Sequence, residues 1–331
     1  MSDLSAVIDA ALKHLDEEYV FPDLASKMVK AVRQRQADKK YAKVKTGQEL
    51  AELLTKHLQE VSKDKHLRVR CNSTKLPPVP TGDGPSPQMR ERMRLMNQKT
   101  NAGYRKVERL AGNVGYLALD GFADAEPAAG PAAAAMNFLA NTDALIIDLR
   151  RNGGGSPHGV ALLCSYLFDE TPVHLNSLYW RKGDRTEEFW TRKDIAGQRY
   201  TGKPVYVLTS GRTFSGAEEF AYNLQTRKRA TIVGATTGGG AHPGGGRRLN
   251  DHFMMFVPTG RAINPVTKTN WEGTGVKPDV PVEADRALEK AHEMAVEKIL
   301  AETKDEELRR HIQRDFERSK EQPKGSAAKA G

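Results

Sequence analysis

The amino-acid sequence predicts an α/β fold that follows a bundle of amphipathic helices and precedes a charged C-terminal helix. Three observations support this prediction: helical apolar stripes up to about residue 62, strands that alternate with helices from about residue 105, and a charged helical pattern over 285–318. Alternating strands and helices are typical of a mostly parallel sheet that helices cover on both faces. We therefore expect four segments, namely a helical bundle ending in a short strand (1–71), an irregular linker (72–104), an α/β core (105–290) and a C-terminal helix with a disordered tail (291–331).

Apolar residues in the N-terminal segment recur at the i, i+3, i+4 spacing of one helix face. The first stripe consists of Leu4, Val7, Ile8, Ala11, Leu12 and Leu15, and the second of Leu24, Met28, Val29 and Val32. Thr46 followed by Glu49 is a capping-box pattern, which predicts the start of a third helix. The sequence HLRVRC, residues 66–71, then alternates as a short strand does. We expect the stripes to form a hydrophobic core rather than a cofactor site.

The α/β region contains short apolar runs separated by helical patterns. Strands are predicted at Val114–Leu119, Ala144–Leu149, Val205–Leu208, Thr231–Val233 and Met254–Val257. Helices are predicted at Ala132–Leu139, Gly159–Phe168 and Gly216–Thr226. The segment 72–100, in contrast, is rich in Pro, Gly and Ser, which indicates a linker or an exposed loop.

The composition of the 331 residues argues against several classes of protein. No apolar run approaches the roughly 20 residues that cross a bilayer, so no membrane span is expected. The acidic N-terminus lacks the basic start and apolar block of a secretory signal peptide. The net charge of +9 comes from basic residues spread along the chain, which predicts a solvated basic surface and no nucleic-acid partner.

The cysteines and histidines show no pattern of a metal site. Cys71 and Cys164 are too few for a disulfide framework, although a single bridge between them stays open. The chain has no C-x-x-C and no H-E-x-x-H sequence. We therefore expect neither a metal nor a cofactor.

The sequence TSGRTFSGAEEF, residues 209–220, lies between the predicted strand VYVL and a predicted helix. A serine at this junction, Ser215, is lifted clear of the sheet edge, and the helix N-terminus adds partial positive charge where an oxyanion would form. This arrangement is typical of a nucleophile elbow, although FSG is not the G-x-S-x-G of the α/β-hydrolases. An ordinary helix N-cap is the alternative, because Ser215 and Glu218 also form a capping-box pattern.

Three further segments carry residue types that a serine nucleophile needs. The glycines of DLRRNGGG, residues 148–155, let backbone amides approach a ligand closely and could form half of an oxyanion hole. A phosphate-binding loop is not expected there, because neither G-x-x-x-x-G-K-[ST] nor G-x-G-x-x-G is present. His66 in DKHL could be the general base, since the unperturbed pKa of histidine suits proton transfer at neutral pH, and Glu272 in WEGTGVKPD could orient an imidazole. A structural or surface role is the alternative for each.

In their order along the chain, these segments resemble the S41 peptidases. This family includes the C-terminal processing proteases, the tricorn core protease and the interphotoreceptor retinoid-binding protein modules. The resemblance covers about residues 60–285 and rests on a D-x-H segment followed by DLRRNGGG, TSGRTFSGAEEFA, GATTGGG and WEGTGVKPDV. It implies a ClpP/crotonase-like α/β spiral without a PDZ insertion, and a serine peptidase that cleaves peptides or unfolded proteins through an acyl-enzyme.

The resemblance also implies a role for each candidate residue. Ser215 matches the nucleophile, and the amides of Gly153 and Gly216 match the oxyanion hole. His66 matches the base of the tricorn-like branch, and Glu272 matches the acid that orients this base.

The base is the point at which branches of the family differ. The processing proteases use a Lys after the nucleophile helix, but the corresponding segment here, GATTGGGAHPGGG, has no Lys. This departure favours Ser-His-Glu, although Lys65 stands where the tricorn protease has a Ser. His242 in the same segment is the first alternative base if His66 is only structural.

Two other functions are compatible with the same fold. A non-catalytic binder of retinoid-like or fatty-acid-like ligands would keep the fold without the base, and a crotonase-like acyl-CoA enzyme would need no serine nucleophile. The joint presence of His66, Ser215 and Glu272 favours the peptidase. Members of the family are often exported, whereas this sequence indicates neither a compartment nor an oligomeric state.

Overall fold

The computed structural model describes residues 4–77 and 86–321. The helices within these ranges are, in chain order, α1 Leu4–Glu18, α2 Pro22–Ala37, α3 Gly47–Ser62, α4 Pro87–Lys99, α5 Ala125–Leu139, α6 Pro157–Ser165, α7 Gly216–Thr226, α8 Ala287–Glu302 and α9 Glu306–Glu321. The strands are β1 Arg68–Cys71, β2 Tyr104–Leu110, β3 Val114–Leu119, β4 Ala144–Asp148, β5 His174–Trp180, β6 Arg185–Trp190, β7 Val205–Thr209, β8 Thr231–Gly234, β9 Gly244–Arg248, β10 Phe253–Pro258, β11 Gly260–Ile263 and β12 Val280–Pro281. None of these helices combines the length and low charge that crossing a membrane requires.

The chain forms two compact units, each built from segments that are distant in sequence. The first unit comprises residues 1–94, 174–190 and 238–275, and the second comprises 95–173, 191–237 and 276–331. This division differs from the continuous α/β core expected over 105–290, because two stretches of that range pack in the first unit. Periodicity along a chain reports local structure, whereas long-range strand pairing decides which unit a segment joins.

The first unit contains the predicted helical bundle and two small antiparallel sheets. The apolar stripes of α1, α2 and α3 form one buried cluster, which also includes apolar residues of β1 and β10. The start of α3 follows the predicted capping pattern, since the Thr46 hydroxyl accepts the N–H of Glu49 at 3.1 Å. The strand orders are β1-β10-β9 and β11-β5-β6. The predicted strand at Met254–Val257 therefore exists as part of β10 but pairs with β1 rather than with the main sheet.

The second unit contains the predicted α/β core. Its six-stranded sheet has the order β12-β8-β7-β4-β3-β2, and every neighbouring pair is parallel except β2 with β3. All residues of β3, β4 and β7 are buried, as parallel strands covered on both faces require. The region predicted as one C-terminal helix forms two, α8 and α9, and alanines of α8 pack against the sheet in one buried cluster.

The segment predicted to be irregular, 72–104, contains helix α4. Its sequence PQMRERMRLMNQK begins with Pro, which suits a first helical turn, and continues with the strong helix formers Met, Arg, Leu and Gln. No residue of α4 is buried. Part of the predicted linker (78–85) and most of the predicted tail (322–331) lie outside the described residues.

The parallel sheet places two glycine- and serine-containing loops side by side. Strands β4 and β7 are neighbours with the same direction, so the loops that follow them leave the sheet at one edge. The loop after β4 carries the NGGG turn, and the loop after β7 carries Ser215.

Candidate active site

Ser215 occupies the turn between β7 and α7 in an unusual backbone conformation. Its φ is +54° and its ψ is −123°. An ordinary N-cap residue has extended backbone dihedrals, and residues other than glycine rarely adopt a positive φ. Strained dihedrals of this kind are concentrated at functional sites, and a sharp strand-to-helix turn is the setting of a nucleophile elbow. Ser215 is thus the N-cap of α7 and forms the predicted capping box with Glu218, and its unusual conformation also fits the nucleophile interpretation.

Hydrogen bonds attach the loop of Ser215 to the loop that follows β4. Thr213 donates its hydroxyl to the carbonyl oxygen of Leu149 at 2.8 Å. The next residue, Phe214, donates its N–H to the carbonyl oxygen of Asn152 at 3.1 Å. These bonds hold Ser215 beside the NGGG turn.

Asn152 determines which amides of the NGGG turn are available to a ligand. This buried side chain accepts the N–H of Gly154 at 2.8 Å and donates to the carbonyl oxygen of Leu119 at 3.0 Å. The Gly154 amide is thus already used. Within residues 4–77 and 86–321, no group accepts a hydrogen bond from the N–H of Gly153 or Gly216. These are the two amides that the resemblance assigns to an oxyanion hole.

The NGGG turn approaches the turn of Phe214, Ser215 and Gly216, the candidate nucleophile turn, so closely that Gly154 has no space for a side chain. A Cβ atom built on Gly154 would lie 2.7 Å from the Gly216 nitrogen and 2.8 Å from the Ser215 Cβ. Its φ of +103° is also one that favours glycine. A Cβ on Gly153, in contrast, would meet no atom within 4 Å. Glycine is therefore required at Gly154, and also at Gly155, where a Cβ would lie 2.0 Å from the Phe122 oxygen, whereas open space lies in front of Gly153.

The other predicted residues gather around Asp64 in the first unit. The Nδ1 atom of His242 lies 2.8 Å from Asp64 Oδ2 and 3.5 Å from Glu272 Oε2. Asp64 also accepts the N–H of His66 at 3.0 Å and the hydroxyl of Tyr19 at 3.1 Å. An ionised carboxylate only accepts hydrogen bonds, so Asp64 favours a proton on Nδ1 of His242, which in a neutral imidazole leaves Nε2 as an acceptor. A base that takes a proton from a serine needs this tautomer.

The imidazole of His66 has a different environment. Its ring stacks on Phe256, with 5.8 Å between ring centroids. Burial lowers the pKa of His66 to about 4, against the opposing effect of the Asp64 charge. The ring is therefore neutral at neutral pH.

Glu272 is held next to the imidazole of His242. Its Oε2 atom accepts the N–H of Ala241 at 2.5 Å, and the neighbouring Trp271 donates its indole N–H to the carbonyl oxygen of Gly240 at 2.8 Å. Sequence reasoning gave His242 only as an alternative base. The sequence did contain a signal for His242, since it lies in GGGAHPGGG, where the glycines on both sides permit an unusual backbone conformation.

Lys65, which stands where the tricorn protease has a serine, makes a hydrogen bond with its side-chain amine. It donates to the carbonyl oxygen of Gly238 at 2.6 Å. This bond attaches the segment of His66 to the start of the segment that carries His242.

Asp64, His242 and Glu272 also have the atom types of a cation site. One ligand atom from each lies within 4.8 Å of the others. The hydrogen bonds of Asp64 and Glu272 account for the same arrangement without an ion. The structure thus brings His66, His242 and Glu272 together around Asp64 in one unit, and Ser215, Gly153 and Gly216 together in the other.

Family models match both parts of the chain. The model described as "Peptidase family S41" matches residues 113–282, which is just over half of the chain. The model described as "N-terminal domain of Peptidase_S41 in eukaryotic IRBP" matches residues 1–102.

Two curated relatives cover parts of the chain. A "Tail-specific protease" of Haemophilus influenzae is 35% identical over 109 residues, which are 33% of this chain and 15% of that protein. A "Carboxy-terminal-processing protease" of Bartonella bacilliformis is 28% identical over 183 residues, which are 53% of this chain and 40% of that protein. The chain thus matches less than half of the length of each relative.

A solved structure shows the same fold over most of the chain. The "Photosystem II D1 C-terminal processing protease" has a TM-score of 0.52 and 16% sequence identity, and the match covers 86% of this chain and 94% of that chain. This likeness confirms the predicted fold class, an α/β spiral core with an N-terminal helical bundle and a C-terminal helix.

Replacing Gly154 with Ala should disrupt the nucleophile turn. The added Cβ would overlap the Gly216 nitrogen and Ser215, and the positive φ would be strained. We expect a loss of at least about 2 kcal/mol in the free energy of unfolding, measured by urea denaturation. Gly211→Ala is the matched control, since a Cβ there meets no atom within 4 Å. Equal stability of the two variants would contradict the close approach of the turns.

The low pKa of His66 should make stability depend on pH. The folded imidazole stays neutral between pH 6.5 and about 4, whereas the unfolded chain takes up a proton below 6.5. The free energy of unfolding should therefore fall as the pH is lowered through this window, by up to about 1.4 kcal/mol per pH unit. Urea denaturation at a series of pH values should show a smaller decrease for His66→Gln, with His311→Gln on the exposed face of α9 as the control. An unchanged pH dependence in His66→Gln would show that its imidazole titrates normally.

Proposed function

This chain belongs to peptidase family S41, and we propose that it is a serine peptidase that cleaves peptide bonds in peptides or unfolded proteins. The observation that carries the proposal is the conformation of Ser215. Ser215 has a positive φ on a sharp strand-to-helix turn, Gly216 follows it directly, and Phe214 before it is hydrogen-bonded to Asn152, the residue that precedes Gly153. Family membership, the curated relatives and this local geometry all support the same reaction class.

In the proposed reaction, the Ser215 oxygen attacks the carbonyl carbon of the scissile peptide bond. The base takes the hydroxyl proton, and the amides of Gly153 and Gly216 stabilise the negative charge that develops on the carbonyl oxygen. The base then gives the proton to the leaving amine, which leaves an acyl group on Ser215. A water molecule, activated by the same base, releases the acyl group as a carboxylic acid and restores the serine.

We assign the base to His66, with Glu272 as the orienting acid. The D-x-H segment supports this assignment through the resemblance to the tricorn-like branch. His242 is the alternative base, supported by its hydrogen bond to Asp64 and its proximity to Glu272.

A fluorophosphonate probe should label Ser215. This reagent forms a covalent bond with an activated serine, and peptide mapping by mass spectrometry identifies the modified residue. Ser215→Ala should lose the labelling and turnover of unfolded casein while keeping the melting temperature. Labelling at another residue would refute the assignment of the nucleophile. A wild-type protein that takes up no probe would favour the binder of hydrophobic ligands instead.

The two candidate bases should differ in their pH profiles. If His66 is the base, kcat/KM should rise through an apparent pKa near 4, so activity should be nearly constant between pH 5.5 and 7. His66→Ala should then reduce kcat/KM by about 100-fold or more, because general-base catalysis contributes 100- to 10,000-fold. The comparison variant is His242→Ala, assayed with the same peptide. A large loss in His242→Ala with a small one in His66→Ala would transfer the role of base to His242.

A further inference from the structure

The proposed reaction leaves one buried acid next to the nucleophile without a role. Glu218, in the first turn of α7, is fully buried. A carboxylate is stable in such a position only when hydrogen bonds replace its contacts with water. Its Oε2 atom accepts the backbone N–H of Ser215 at 2.8 Å, and its Oε1 atom accepts the hydroxyl of Thr237 at 2.5 Å. The acid is therefore bonded directly to the backbone of the proposed nucleophile.

Thr237 connects Glu218 to another part of the second unit. Its Oγ1 atom accepts the N–H of Val276 at 2.7 Å, so its own proton is directed to Glu218. The N–H of Thr237 in turn donates to the carbonyl oxygen of Val276 at 3.2 Å. The donors and acceptors form one continuous series, from Val276 through Thr237 and Glu218 to Ser215.

The hydrogen-bonded series lies at the two points where the chain passes from the second unit to the first and back. Thr237 is the last residue of the second unit before residues 238–275, and Val276 is the first residue after them. The intervening segment carries His242 and Glu272. The two residues that flank this segment, Thr237 and Val276, are thus bonded to each other. Thr237 is also bonded to Glu218, the acid that accepts the N–H of Ser215.

Ser215 and Glu218 form a capping box, but its N-cap residue has unusual backbone dihedrals. In a capping box the N-cap residue is extended, and the N3 acid adds stability to a helix end. Here the acid accepts the N–H of a residue with a φ of +54°. A bond to the amide of a strained residue resists relaxation of that residue toward an ordinary backbone conformation.

We propose that Glu218 is a positioning residue that holds Ser215 in its strained conformation, and that Thr237 fixes Glu218 through its second oxygen. This inference rests on the proposed function, in which Ser215 is the nucleophile. Its consequence is a specific kinetic signature. Displacing the serine oxygen by about 1 Å costs about 100-fold in rate, whereas binding of substrate or inhibitor depends on other groups.

The experiment measures the reaction of the full chain with the fluorophosphonate probe. Four variants are compared with the wild type: Glu218→Ala, Glu218→Gln, Thr237→Val and Thr237→Ser. Gln keeps an oxygen for the Ser215 amide, and Ser keeps the hydroxyl for Glu218. The matched control for Thr237→Val is Thr209→Val, which removes a buried hydroxyl that donates to the carbonyl oxygen of Ala235 at 2.9 Å.

We expect a large decrease in the maximal labelling rate of Glu218→Ala, about 100-fold, with little change in the probe concentration that gives half of that rate. Thr237→Val should decrease the same rate about 10-fold. Glu218→Gln and Thr237→Ser should restore most of it, and Thr209→Val should react as the wild type does. Wild-type rates in both Glu218→Ala and Thr237→Val would overturn the proposal.

Hydrogen exchange separates this inference from the proposed function. If Glu218 holds the turn, the amide of Ser215 should exchange faster in Glu218→Ala than in the wild type, and melting temperatures show whether the whole fold has loosened. If Glu218→Ala does not fold, the same comparison is made with Thr237→Val. A wild type without labelling at Ser215 would refute the proposed function, whereas unchanged exchange at Ser215 would refute the positioning role.

Discussion

One backbone hydrogen bond organises the turn that carries Ser215, namely the bond from the N–H of Phe214 to the carbonyl oxygen of Asn152. It joins the loops that follow two neighbouring parallel strands, and it brings Ser215 against the NGGG turn. The close approach explains why Gly154 must lack a side chain, since any Cβ there would overlap the nucleophile turn. It also explains why Asn152 is buried, because its amide satisfies backbone groups that the tight turn removes from water. Strain at Ser215 is tolerated because its surroundings are held from several sides.

In the first unit, a buried carboxylate connects several parts of the chain by hydrogen bonds. Asp64 accepts hydrogen bonds from Tyr19, the backbone of His66 and the ring of His242. Burial and the charge of Asp64 raise the pKa of Tyr19, so its hydroxyl remains a donor. Asp64 and Glu218 are therefore similar buried acids in different units. Each is a buried acid that accepts a hydrogen bond from a residue of the candidate site, the ring of His242 in the first case and the backbone N–H of Ser215 in the second.

Local sequence signals were sufficient for many elements but not for their partners. The apolar runs of β3, β4 and β7 predicted strands because strands buried on both faces contain few polar residues. The order of strand, serine and helix indicated Ser215, because all three are adjacent along the chain. The apolar pattern also predicted strand β10, but it did not predict that β10 pairs with β1. The helix α4 was missed because the Pro- and Gly-rich residues before it dominated the composition of the segment.

The sequence by itself determined the α/β class, the helical bundle, and the serine at a strand-to-helix junction, because each depends on residues that are close along the chain. The tertiary structure decided which imidazole contacts Asp64, since 178 residues separate His242 from that acid. It also decided that glycine is required at Gly154 and Gly155 but not, for lack of space, at Gly153. Contacts across such distances depend on how strands pair and how loops approach each other, and no local pattern of residues encodes them.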